Sequence, residues 1–129
     1  MINENLWYAY SQVKLVFPTT SIKGDFVIIT AWNPRSLRLS EDENRRNNRH
    51  LQQALIDYDL IEIIVGNDDF SWYEESFAVV MPVTKAVVLA NQYAQNAFYY
   101  VQDGQLILQS CLDHQRLELG PLLSAIKST

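Results

Sequence analysis

At 129 residues, with 48% hydrophobic and 19% charged side chains, the chain has the make-up of one folded domain with one core rather than of a disordered segment. Its net charge of −5 argues against general nucleic-acid binding through phosphates, and no apolar run approaches the roughly 20 residues that span a bilayer. The start, Met1-Ile2-Asn3-Glu4, lacks the pattern of a signal peptide, and the single Cys111 has no partner for an internal disulfide, so a cytoplasmic location is expected.

Glu4 to Gln12 reads as a short amphipathic helix with Leu6, Trp7 and Tyr10 on one side. Val13 to Phe17 is extended, and Pro18-Thr19-Thr20-Ser21 is a loop. Asp25 to Trp32 is a strand apolar on both faces, hence central. Pro34 ends it, and a polar loop leads to Ser40, which with Glu43 forms a Ser-x-x-Glu capping box that starts a helix through about Ile56. Leu60 to Val65 is the next strand, Gly66-Asn67-Asp68-Asp69 breaks the chain, and Ser76 to Met81 is a third strand apolar on both faces. Thr84 to Gln95 is a helix with Ala86, Leu89, Ala90 and Tyr93 inward. Ala97 to Val101 and Gln105 to Gln109 form a hairpin about Asp103-Gly104, and the tail from Leu117 to Ile126 is a helical turn or coil.

The resulting order is β-α-β-β-α-β plus one hairpin strand, preceded by an N-terminal helix. It predicts an α+β domain of the ferredoxin-like, split βαβ type. That topology brings four polar segments to one edge of the sheet: Asn33-Pro34-Arg35, the start of the first long helix with Asn44 and Asn48, the strand start Glu74-Glu75-Ser76, and Gln95-Asn96. Asn44 and Asn48 precede the inward Leu51 and Leu55 by seven residues each, so a core-facing stripe turns from Leu to Asn near that edge. Buried amides must be hydrogen-bonded, either to a ligand or to the protein itself, in which case Asn33, Asn44 and Asn48 tie the loop from Asn33 to Leu39 to the sheet.

Asn33, Arg35, Asn44, Asn48, Glu75, Ser76 and Gln95 are the candidate ligand-binding residues, with Glu75 a weak candidate for catalysis. Glu74 and Glu75 are neighbours on an extended segment, so they face opposite ways and are no matched acid/base pair; either is a candidate general base or cation ligand, and pairing with an arginine is the plainer role. Trp32 and Trp72 can stack on a flat ligand or pack in the core. Asn96 suits the left-handed position that ends a helix. Ser76 has no evident base, since the only histidines are His50 and His114, and one Cys with two distant His argues against a zinc site. The glycines are scattered and form no phosphate loop, so neither metal nor cofactor is expected.

Five of the ten Lys and Arg residues lie between Arg35 and Arg49, and all five are arginine. Such a segment can hold a phosphate or carboxylate, or simply form a solvated helix face.

Four motifs, Thr30-Ala31-Trp32-Asn33-Pro34, Ser40 to Leu51 with Glu43-Asn44 and Asn48, Trp72 with Glu74-Glu75-Ser76-Phe77, and Gln95-Asn96-Ala97, occur in an order that resembles a bacterial family known as domain of unknown function 3293. The resemblance runs from about Leu6 to Leu108 and departs at Ala94, where the pattern leads one to expect Gly. It implies a small, stand-alone cytoplasmic protein and brings no activity, substrate or partner with it.

Three functions are compatible with these residues. The first is binding of a polar or anionic small molecule, nucleotide-like ligands included, at the sheet edge. The second is a hydrolase or transferase with Glu75 as general base and Arg35 holding an oxyanion. The third is a protein-interaction module that uses Arg45, Arg46 and Arg49 or a sheet edge, with Phe98-Tyr99-Tyr100 available for self-association.

Overall fold

The computed structural model describes residues 2–18 and 22–127. The loop expected at Pro18 to Ser21 therefore lies largely outside the described residues. The architecture is α+β: a curled, antiparallel sheet of seven strands with helices on both sides.

In chain order the elements are α1 (Glu4–Ser11), β1 (Lys14–Val16), β2 (Phe26–Ile29), a 3-10 turn (Pro34–Ser36), α2 (Glu41–Ala54), β3 (Leu60–Gly66), β4 (Tyr73–Val79), α3 (Val83–Gln92), β5 (Ala97–Gln102), β6 (Gln105–Ser110), β7 (Arg116–Pro121) and α4 (Leu122–Ala125). The strand order across the sheet is β1-β3-β4-β2-β5-β6-β7, and all neighbours are antiparallel. β2 and β4 lie side by side in the interior, as their two apolar faces require.

Local chemistry explains the boundaries. Ser40 caps α2 as the capping box demands: its hydroxyl accepts from the Glu43 N–H at 3.2 Å and donates to Glu43 Oε1 at 3.0 Å. Asp103 and Gly104 both take positive φ, 52° and 77°, which matches the twist of the β5–β6 hairpin.

Two expectations need correction. β4 begins at Tyr73, three residues before Ser76, because it zips onto β3 in unbroken register from Leu60↔Val79 to Gly66↔Tyr73. The tail is neither a simple helical turn nor coil: Arg116–Pro121 pairs with β6 as an edge strand before the short α4. After α4, Ile126 bridges to Leu15 in parallel, and the Lys127 N–H donates to the Leu15 carbonyl at 2.8 Å. The chain that leaves one edge of the sheet thus docks on the other edge, and the sheet is held curled.

Two apolar layers result. Leu51 and Leu55 of α2 and Ala86 and Ala90 of α3 pack on Val27, Ile29, Phe77 and Val79. On the other, concave side Leu15, Phe26, Ile28, Ile63, Val65, Ala78, Tyr99 and Leu108 enclose a second core, against which Trp7 and Tyr10 of α1 pack. Phe98, Tyr99 and Tyr100 are all buried in these layers, which removes them as a surface for self-association. No helix among the described residues is long and apolar enough to cross a membrane.

α3 ends earlier than Gln95, and the residue that turns left-handed there is Ala94, with φ 57°, and not Asn96. A Cβ in that conformation crowds the backbone, whereas glycine does not. Ala94→Gly should therefore raise unfolding stability by about 0.5–1 kcal/mol, the relief being partly offset by the freer unfolded chain. Urea unfolding of the two proteins measures this directly; a lower midpoint for the variant would contradict it.

Candidate functional site

β2 and β4 run in register through Val27↔Val79, Ile28↔Ala78 and Ile29↔Phe77, and then separate. Continuing that register would place Ala31 opposite Glu75. The Asn48 side chain reaches in from α2 at that point. Its Oδ1 accepts from the Ala31 N–H at 2.8 Å and its Nδ2 donates to the Glu75 carbonyl at 2.8 Å. A carboxamide has the donor and acceptor of a peptide group, so Asn48 acts as one inserted rung of the ladder. Thr30 supports it, its hydroxyl donating to the same carbonyl at 2.7 Å and accepting from the Trp32 N–H at 3.1 Å.

One turn earlier on α2, Asn44 holds the departing chain. Its Oδ1 accepts from the Asn33 N–H at 2.8 Å, and its Nδ2 donates to Asn33 Oδ1 at 2.9 Å. Asn33 Oδ1 also accepts from the Leu39 N–H at 2.9 Å, which closes the loop. From the other side, Gln95 Nε2 donates to the Trp32 carbonyl at 3.1 Å and the Arg35 N–H donates to the Ala94 carbonyl at 2.7 Å. These bonds hold Asn33, Arg35 and Ser36 in the left-handed region, at φ 46°, 54° and 61°.

Where the strands part, a cleft of about 40 Å³ opens at the mouth of the curled sheet. Glu74 and Ser76, on the concave face of β4, line it with Thr30, Asn33, Trp72 and Gln95. Tyr10, Ser36 and Asn96 close its rim: the Tyr10 hydroxyl bonds to Ser36 Oγ, and Asn96 Nδ2 donates to both oxygens at 3.3 Å. Arg35 borders this rim, its guanidinium donating to the Gln95 carbonyl at 3.2 Å and Asn96 Oδ1 at 3.4 Å. Trp72 is held there by a tight loop in which any Cβ at Gly66 would meet the Trp72 carbonyl oxygen at 2.6 Å. Trp32, by contrast, is buried against the sheet, with its ring 6.4 Å from that of Tyr73.

The two glutamates have opposite fates. Glu75 shares its face with Phe77 and Val79, beneath α2, and pairs with Arg45 at 3.2 Å. Glu74 has no ion pair among the described residues. Burial pushes its carboxyl up to about 8, against a smaller opposing contribution from a hydrogen bond with the Asn33 side chain. Burial, and then the neighbouring Glu74, raise the Tyr99 hydroxyl, which donates to the Tyr10 carbonyl at 2.6 Å. Burial pushes the Cys111 thiol up to about 11, so it is inert as a nucleophile near neutral pH.

Of the residues singled out in the sequence, Asn33, Ser76 and Gln95 line the cleft and Arg35 borders it. Asn44 and Asn48 stand behind it with their amides bonded to the protein, and Glu75 lies on the other face. Sequence reasoning brought Glu74 to this edge without counting it among the candidate ligand-binding residues, and it gave Tyr10 and Ser36 no role in the site. The signal for Glu74 was present in the alternation of β4: Glu75-Phe77-Val79 is the face toward α2 and its arginines, and Glu74-Ser76-Ala78 is the other.

Asn48→Ala removes a rung and leaves the Ala31 N–H and the Glu75 carbonyl without that partner. The carbonyl keeps the Thr30 hydroxyl, so at about 1–3 kcal/mol for the one buried N–H left unsatisfied the expected loss is about 1–3 kcal/mol. Denaturant unfolding reports it, and a loss below half a kilocalorie would show that the rung is dispensable.

Glu74 makes stability depend on pH. Its folded-state value lies above the ordinary 4.5, so the folded state holds more protons than the unfolded chain between 4.5 and about 8. Stability is therefore highest below that window and declines as pH rises through it. Among groups with a resolved shift, the lowered Asp69 and Asp113 titrate below the window, while Tyr99 and Cys111 titrate above it. Glu74→Gln, neutral at every pH, should flatten the decline when unfolding is measured from pH 5 to 8.5.

The family model described as "Protein of unknown function (DUF3293)" matches residues 29–98. That segment is more than half of the chain and carries the Asn48 rung, the left-handed loop, Glu74 and Gln95-Asn96, leaving Tyr10 and Tyr99 outside it. No curated protein and no solved structure matches. The chain belongs to the DUF3293 family.

Proposed function

We propose that this protein binds a small polar molecule at the mouth of its curled sheet, with Glu74 at the centre of the site. One observation carries the reading: a carboxyl without a counter-ion among the described residues faces a cleft ringed by Tyr10, Asn33, Ser36, Ser76 and Asn96. Mouths of curled and closed sheets are common ligand sites, and titratable groups shifted by burial concentrate in functional clefts. A volume of about 40 Å³ suits a group of a few atoms and not a nucleobase, which narrows the nucleotide-like alternative to a ligand whose base stays outside. Arg35 at the rim is placed to meet an acidic substituent, so the anionic character expected of the ligand belongs to its outer part.

If a reaction occurs here, Glu74 is a better general base than Glu75, whose carboxylate is engaged by Arg45. A cytoplasmic setting and a ferredoxin-like arrangement of the central strands belong to the same proposal. The central order β3-β4-β2-β5, with α2 and α3 on one face, supports the latter.

The test is native mass spectrometry of the folded protein after exposure to a desalted metabolite extract. A defined adduct is expected on the wild type and on Arg46→Ala, and not on Glu74→Gln. A clean apo mass from folded wild-type protein would overturn the reading and shift attention to the open groove beside α2, lined by Arg45, Arg49, Gln52, Glu62 and Glu75, as a protein-binding surface.

A further inference from the structure

We infer that the group this cleft receives is a small cation, an ammonium or amidinium, which binds as the counter-ion of Glu74. This deepens the binding proposal above and rests on it.

The first reason is charge. Among the described residues neither arginine near the mouth pairs with Glu74: Arg45 pairs with Glu75 and Glu41 on the other face, and Arg35 stays at the rim, where it donates to the Gln95 carbonyl and to Asn96 Oδ1. Asn33 is the one polar side chain that favours the ionised Glu74, and an amide dipole does not neutralise a carboxylate. An anionic group entering the cleft would meet Glu74 with no cation beside it. A cation would supply the missing charge and be hydrogen-bonded at once.

The second reason is the wall. Trp72, Tyr10 and Tyr99 line the same cleft, and aromatic faces attract cations. Ser76 Oγ, which donates to the Glu74 carbonyl, keeps its lone pairs to accept from a remaining N–H group of an ammonium or amidinium.

The third reason is size. A water needs roughly 10–15 Å³ of such volume. The cleft, at about 40 Å³, therefore accepts a head group of one to four non-hydrogen atoms with its stem directed outward past Arg35.

Ionisation follows from this geometry. The titratable and charged groups around Glu74 are Tyr10 of α1, Tyr99 of β5 and Arg35 of the rim loop, with Cys111 of the β6 end close to Arg35. With burial pushing the carboxyl up to about 8, the protonated form of Glu74 predominates near neutral pH when no cation is bound. Binding a cation ionises it, so each cation that enters displaces one proton to solvent. Since only the ionised fraction is competent, apparent affinity rises with pH up to about 8.

The experiment titrates wild type and Glu74→Gln with methylammonium, guanidinium, acetamide and acetate at millimolar concentrations, at pH 6 and pH 8.5. Binding is read at the Trp72 indole N–H by heteronuclear NMR, and proton release by calorimetry in buffers of different ionisation enthalpy. One of the two cations is expected to bind wild type more than about ten-fold tighter at pH 8.5 than at pH 6, with close to one proton released at pH 6. Glu74→Gln, nearly isosteric, should keep the fold and lose at least ten-fold in cation affinity. Cation binding that is unchanged in Glu74→Gln, or stronger at pH 6, overturns the inference. Acetamide or acetate binding in place of the cations also overturns it, while leaving the small-molecule reading intact. Should none of the four perturb Trp72, the inference fails, and the small-molecule reading then depends on the adduct experiment alone.

Discussion

The carboxamide of Asn48, set between the backbones of β2 and β4, is the interaction on which the rest of this end of the molecule depends. Two antiparallel strands that part company leave a donor on one and an acceptor on the other, and each costs about 1–3 kcal/mol if buried unpaired. Asn48 answers both with one planar group held on a helix by the packing of Leu51 below it. Because the rung is an amide and not a peptide, the strands stand one side chain apart. Thr30, Ser76 and Glu74 then line open space where a continuous ladder would run. Asn44 and Asn33 extend the same principle to the loop, so that residues 33–39 are fixed by side-chain amides in place of a strand partner.

Charge sorting follows from the pleat of β4. Adjacent residues on a strand face opposite ways, so the pair Glu74-Glu75 is divided between the two layers of the protein. Glu75 meets the arginines of α2 and becomes half of a largely solvent-exposed ion pair, worth little in stability. Glu74 enters a cleft lined by no arginine or lysine among the described residues, and its charged form is disfavoured by burial. Two identical side chains thus have different chemistry for purely geometric reasons. The pair also shows why the arginine-rich helix is not itself the centre of the polar site: it faces the convex side of the sheet, away from the mouth.

Much of this was legible in the sequence. Strand order and helix direction alone bring Asn33, Asn44, Ser76 and Gln95 to one edge, because antiparallel strands and intervening helices must alternate in direction. The capping box at Ser40 and the Leu51 and Leu55 stripe placed Asn44 and Asn48 correctly on the inward face of α2. What they do there was not legible, since an amide that bonds to Ala31 and Glu75 looks identical in sequence to one that awaits a ligand. β7 escaped for a different reason. Its alternation, Arg116-Leu117-Glu118-Leu119, is short, half exposed and followed at once by Gly120-Pro121, so an edge strand reads as a loop. The start of β4 was obscured likewise, because aromatic and acidic residues from Trp72 to Glu75 carry no apolar period.

The distribution of backbone strain gives an independent argument for where function lies. Six non-glycine residues among those described have positive φ: Asn33, Arg35, Ser36, Phe70, Ala94 and Asp103. Asp103 belongs to an Asp-Gly hairpin turn, where such a conformation is ordinary, and it sits at the end of β5 remote from the cleft. The other five all belong to the three segments that border the mouth: the loop after β2, the β3–β4 turn that delivers Trp72, and the end of α3 that delivers Gln95 and Asn96. None of the five is glycine, although glycine would relieve each of them. At Arg35 and Ser36 the side chain is what the rim uses, for a guanidinium and a hydroxyl, and glycine would forfeit both. Elsewhere in the chain capping, alternation and turn chemistry agree with the fold, so local rules are broken mainly where the cleft is. The conflict at this end of the sheet is secured by three buried or half-buried asparagines, and strain concentrated in this way supports the proposal that the site lies there.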